Sequence, residues 1–235
     1  MGWYGGNDCG CCDPCTSTSY DSTYTDLFPG PTLNAKWALG SLATAIVSNQ
    51  LQIEYNPSSL SLGHIGYLTK SPSPSGSSDR DIYVEVDAVD LPTGFGTDGS
   101  SYFAAKAVGF RGAFLHTTGS HLDFGIIDDE SGTTEYYLNK TSNTSGTGIT
   151  RLGGTPSAGD TLRIELVFTS DLNYGITCKA NGSTIHTENE TLDTSNEFNY
   201  SLCRIETAIT VHHSSVINIG FGNMTLFDNW DQGFA

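Results

Sequence analysis

The chain has 235 residues, 37% of them hydrophobic, and sets 26 acidic against 10 basic side chains for a formal net charge of −16. That balance argues against nucleic acid and anionic membrane as partners, because both are held mainly by Lys and Arg neutralising phosphate. No apolar run approaches the roughly 20 residues that cross a bilayer, and the hydrophobic content suits one sizeable core in a single domain.

Residues 1–25 are rich in Gly, Cys, Ser and Thr and lack periodic apolar positions, so they read as an N-terminal arm ahead of a domain spanning 26–235. Met1–Asp8 shows neither a basic nor an apolar leader region, which predicts folding in a cytoplasm, with any exit by lysis or a non-standard route. Cys9, Cys11, Cys12 and Cys15 fall within seven residues. Thiolates so close converge on one tetrahedral ion, zinc or an iron–sulfur cluster, or else serve as disulfide partners within or between chains. Ordering such a segment costs roughly 1 to 2 kcal/mol per residue. Trp3, Tyr4, Tyr20 and Tyr24 offer little to offset that, so the arm is expected to join the chain to other subunits.

Leu51 and Ile53 share one face of a strand predicted over 48–55, and 71–78 is a Pro/Ser/Gly loop. Ile82, Val84, Val86 and Ala88 alternate with Tyr83, Glu85, Asp87 and Val89. Further short strands are predicted at 102–108, 113–116, 122–127 and 135–138, with long loops at 91–100 and 139–159. Asp128, Asp129 and Glu130 fall between two of these strands and carry the hard oxygens that calcium takes, although a solvated turn has the same composition.

The clearest signal is Asp160–Thr187. Leu162, Ile164, Leu166 and Phe168 alternate with Thr161, Arg163, Glu165 and Val167, and a second strand runs from Tyr174 to Ala180. Asn181-Gly182 then supplies a tight type I′ turn into a third strand. Cys178 and Cys203 each sit on the apolar face of a predicted strand, either as buried thiols or as a cross-sheet disulfide. His212 and His213 are adjacent near a strand end, so they face opposite ways and share no metal. The last predicted strand lies within 216–230, and no helix of useful length is signalled.

This hairpin, with its polar start at Asp160, resembles the central hairpin of concanavalin A-like lectin/glucanase jelly rolls, laminin G-like modules included. Asp26 to Trp37 is similar to the opening segment of those modules, and Phe227-Asp-Asn-Trp230 to their closing strand. The resemblance implies an all-β sandwich of two antiparallel sheets. Laminarinase-type glycoside hydrolases of that superfamily carry Glu-x-Asp-x-(x)-Glu, with the first Glu as nucleophile and the last as acid/base. The matching positions are Glu85, Asp87 and Asp90, with the shorter Asp90 where the final Glu would stand. Asp81 to Pro92 is also similar to the plain first core strand of laminin G-like modules.

These readings predict a non-enzymatic structural or binding module of a bacterial virus, at a tail fibre, tail tip or head decoration, assembled in the host cytoplasm. Its lectin-like domain would take surface glycan. Two alternatives stay open: a secreted or surface glycoside hydrolase using Glu85, and a non-viral extracellular adhesin or filament subunit.

Overall fold

The computed structural model describes residues 23–27, 29–30, 37–39, 43–47, 50–55, 62–67, 81–88, 103–112, 120–129, 133–141, 149–170, 173–191, 200–210 and 217–228. Every regular element among the described residues is a strand. In chain order these are β1 (Thr23–Asp26), β2 (Trp37–Leu39), β3 (Ala43–Val47), β4 (Gln50–Tyr55), β5 (Leu62–Tyr67), β6 (Asp81–Ala88), β7 (Phe103–Gly112) and β8 (Ser120–Asp129). The remainder are β9 (Thr134–Thr141), β10 (Ile149–Gly153), β11 (Thr161–Phe168), β12 (Asn173–Ala180), β13 (Ser183–Thr191), β14 (Tyr200–Thr210) and β15 (Ile217–Asp228).

They form two antiparallel sheets, the all-β jelly-roll sandwich that the resemblance implies. The first is eight-stranded in the order β13-β12-β11-β6-β15-β4-β3, with β1 beside β15, and the second is seven-stranded in the order β10-β9-β8-β7-β14-β5-β2. Pairing β1 to β15 sets Thr23 against Phe227 and Asp26 against Met224, so the last residues assigned to the arm already belong to the sheet.

Register follows the apolar pattern. Leu162 stands between Val86 and Ala180, Ile164 between Val84 and Cys178, and Leu166 between Ile82 and Ile176, all of them buried. Burying each large aliphatic side chain contributes about 1.5 to 3 kcal/mol, and a one-residue slip would turn the whole set to water. The second sheet answers with Val108, Leu122, Phe124, Ile126, Tyr136 and Leu138. Phe124 and Tyr136 stack there, with ring centroids 5.9 Å apart.

Two polar contacts tie the sheets together. Tyr136 of β9 donates its hydroxyl to Asp160 Oδ2 at 2.6 Å, just before β11. Asp160 also accepts from the Ser157 amide at 2.8 Å and from Asn181 Nδ2 at 2.7 Å. Burial raises the Asp160 carboxyl, but these three hydrogen bonds outweigh it and hold the group below its ordinary value, while burial and the same carboxylate push the Tyr136 hydroxyl up. Asn181 and Gly182 turn the hairpin at φ 49° and 75°, the left-handed pair that a type I′ turn requires. The second tie is Lys140 of β9, whose ammonium lies 2.9 Å from Glu188 and 2.5 Å from Glu190 of β13. Burial alone would lower the Lys140 ammonium, yet the two glutamates raise it above its ordinary value.

The structure departs from the sequence reading in its strand limits and decides between the two readings of Cys178. β7 runs past the end of the strand predicted at 102–108, because β8 and β14 pair along it and carry it through Gly109 to Gly112; the strand predicted at 113–116 lies outside the described residues. The predicted loop at 139–159 contains β10, joined to β9 through an irregularity between Arg151 and Gly153. Cys178 is a buried free thiol, which removes the disulfide alternative. Cys203 lies in β14 of the other sheet.

Candidate functional site

A sandwich offers two outer faces, and here they differ in chemistry. On the first sheet the outward positions of β6, β11 and β12 include Tyr83, Glu85, Asp87, Arg163, Glu165 and Lys179. Arg163 sits 3.5 Å over the Tyr83 ring and bonds Glu165 at 2.8 Å, and Lys179 bonds the same Glu165 at 2.7 Å. Burial raises the Glu165 carboxyl, but Lys179 and Arg163 together hold it below its ordinary value. On its other side Tyr83 stacks on Phe227, with centroids 4.9 Å apart. This face satisfies its own charges, ring against guanidinium and cation against anion.

The sequence candidates Glu85 and Asp87 fall on that face. Glu85 lies 3.9 Å from Arg163, while Asp87 accepts from Thr161 Oγ1 at 3.0 Å and from Asn223 Nδ2 at 3.3 Å. Asp90 lies outside the described residues, as do Glu130, His212, His213 and the four N-terminal cysteines. Asp128 and Asp129 belong to the last two positions of β8, so the strand runs further than the predicted turn allowed. Among the described residues no cluster of three or more His, Cys, Asp or Glu is arranged to hold a metal ion.

The outer face of the second sheet is built differently. Since Leu122, Phe124, Ile126, Tyr136 and Leu138 supply the core, the alternate residues Asp123, Gly125, Ile127, Glu135, Tyr137 and Asn139 turn away from it. Even so, Asp123 is only 1% exposed and Tyr137 only 4%. Asn139 Nδ2 lies 3.4 Å from Asp123 Oδ2. Gly109 of β7 stands opposite Asp123, and a Cβ added there would meet Asp123 Oδ1 at 2.6 Å and the Leu122 carbonyl oxygen at 2.0 Å. The carboxylate therefore occupies room that only glycine leaves. Arg151 of β10 pairs with Glu135 of β9, their side chains 45% and 14% exposed.

Register extends this face across the sheet. One row runs Asn139, Asp123, Gly109, Arg204, and the next runs Arg151, Tyr137, Gly125, Ala107, Glu206, His64. Arg151, one of five arginines in a protein with only 10 basic residues, falls at an outward position here. Sequence reasoning missed this set. The available signal was Asp123 and Gly125 at the positions alternate to Leu122, Phe124 and Ile126, where an ordinary half-buried strand carries solvated side chains.

No protein-family model matches the sequence, and no curated protein matches it. Solved structures do. A GlcNAcα1-4Gal-releasing endo-β-galactosidase from Clostridium perfringens superposes with a TM-score of 0.57 at 12% identity, over 95% of this chain and 66% of the other. A mutant of the alginate lyase Aly36B in complex with alginate trisaccharide gives 0.54 at 10% identity, over 89% and 99%. The CBM2 module of the evolved Dit of Lactobacillus casei BL23 phage J-1 gives 0.52 at 8% identity, over 88% and 95%. At such identities the likeness is one of fold. It nevertheless corrects the expectation of a chain built for binding alone, because the shared jelly roll is one that a glycosidase and a lyase also use.

Proposed function

We propose that this chain is a carbohydrate-active domain that takes a glycan on the outer face of its second sheet and cleaves it there. The observation that carries the reading is the contrast between the two faces. The first is closed by its own ion pairs, whereas the second withdraws Asp123 and Tyr137 from water beside glycine positions. Groups of this kind supply proton transfer and oxygen recognition to a glycosidic bond. The fold shared with an endo-β-galactosidase and an alginate lyase supports it.

Incubation with β-galactans, barley β-glucan, alginate and capsular polysaccharides, followed by assays for new reducing ends and for unsaturated uronate, tests the reading. Tyr137→Phe and Asp123→Ala are expected to lower turnover about 100-fold, whereas Glu85→Gln leaves it unchanged. Absence of any product from the wild-type protein overturns it, and loss of turnover on Glu85→Gln moves the site to the first sheet.

We further propose that the domain belongs to a virion, with residues 1–25 joining it to neighbouring subunits. The jelly roll shared with a phage module supports this placement. Protein carrying a deletion of residues 1–20, which leaves β1 intact, is expected to stay folded yet be missing from purified particles. Its incorporation at the wild-type level refutes the role given to the arm.

A further inference from the structure

Where β8, β9 and β10 lie side by side, two polar side chains on the outer face each have a more buried carboxylate behind them. Asp123, at 1% exposure, backs the half-buried Asn139. Glu135 backs Arg151, the more exposed of that pair. Register sets Ile149 opposite Asn139 and Arg151 opposite Tyr137, so Asn139 and Arg151 are diagonal neighbours, about 7 to 8 Å apart along the backbone. That separation is within the reach of one pyranose ring, and Tyr137 lies between the two.

An exposed ion pair adds little to stability, so the energetic consequence of these pairings lies elsewhere. Immobilising a long side chain on a ligand costs conformational entropy, and a carboxylate that already holds it removes part of that cost. A guanidinium fork presents its N–H donors in a plane, a geometry that suits two adjacent oxygens.

We propose that this corner is a sugar subsite in which Asn139 and Arg151 contact adjacent oxygens of one pyranose ring, with Asp123 and Glu135 as positioning residues. The inference rests on the reading of this face as the glycan site and adds where and how one ring is held. The oxygens are vicinal hydroxyls of a neutral sugar or the carboxylate of a uronic acid, which share the same paired-acceptor chemistry. Gly109 belongs to the device, since any larger residue would displace Asp123.

The test uses the full chain with barley β-glucan and sodium alginate as neutral and anionic probes, measuring kcat and KM where product forms and Kd where it does not. Arg151→Ala and Asn139→Ala are expected to raise KM or Kd about tenfold each, with kcat changed by less than a factor of about three. Arg151→Lys does not restore the loss, because an ammonium lacks the fork. Glu135→Gln shifts KM in the same direction at unchanged melting temperature and decides the positioning role, because Asp123→Asn also lowers turnover. An effect confined to alginate identifies a carboxylate, and one seen with β-glucan identifies hydroxyls. If wild-type protein neither binds nor cleaves either probe or any glycan of the wider panel, the functional reading fails and the subsite with it. If wild type acts but the Arg151 and Asn139 variants keep KM within twofold, the subsite alone is wrong.

Discussion

Asp160→Ala is expected to destabilise the sandwich by about 3 to 5 kcal/mol, a large part of a domain's total stability. The residue is 6% exposed and gathers three donors from separate parts of the chain: the Tyr136 hydroxyl, the Ser157 amide and the Asn181 side-chain amide. Alanine leaves the hydroxyl of a buried tyrosine without its acceptor and loosens the hairpin turn, where Asn181 Oδ1 also accepts from the Thr161 amide at 2.9 Å. For a domain of this size the melting temperature should fall by roughly 6 to 20 °C. A fall of only a degree or two would show that Asp160 is not a cross-sheet tie.

The same carboxylate gives a pH signature whose sign is fixed. Its folded value lies below the ordinary 3.8 because the hydrogen bonds outweigh burial. Its contribution is therefore fully present above the unfolded value and is lost as pH falls through the lowered folded one. The difference in melting temperature between wild type and Asp160→Asn should stay constant from neutral pH down to about 5 and shrink below about 4. A difference that grew on acidification would contradict the assignment.

Phe168→Ala is expected to cost a further 3 to 5 kcal/mol, roughly, when made alone. Phe168 closes the inner row of β11 opposite Tyr174, with ring centroids 5.2 Å apart, and both rings are buried. Truncation leaves a cavity against a ring that cannot follow. Its neighbour Val167 is 37% exposed on the opposite face, so Val167→Ala should change stability by no more than about 0.5 kcal/mol. Chemical denaturation of the two variants reads both values, and comparable losses would mean that the faces of β11 are assigned wrongly.

Much of the fold was legible in local pattern. The alternation of Leu162 to Phe168, the apolar set Ile82, Val84 and Val86, and the Asn181-Gly182 turn each depend on neighbours within a few residues, and all appear as read. The period of two fixes which side chains share a face, so Glu85 and Asp87 were correctly placed together. What the pattern could not say is that Arg163, 78 positions from Glu85 in the chain, stands beside it, or that Lys179 completes the charge balance at Glu165. Of the strands interrupted by glycine, β5 was missed and β7 was ended at 108, ahead of Gly109, because their order comes from ladders on both sides rather than from their own propensity.

The candidate site was not legible at all. Asp123, Tyr137, Asn139 and Arg151 are unremarkable singly and come from three strands with a long connection before the last. Only cross-strand register aligns them, and register is decided where each strand buries its other face against the core. By itself the sequence determined the sandwich, its inward residues and its central hairpin, since periodicity and turn chemistry are properties of adjacent residues. The tertiary structure alone decided which outer face closes on its own ion pairs and which holds a buried carboxylate over a glycine, because both depend on partners that the chain keeps far apart until the sheets form.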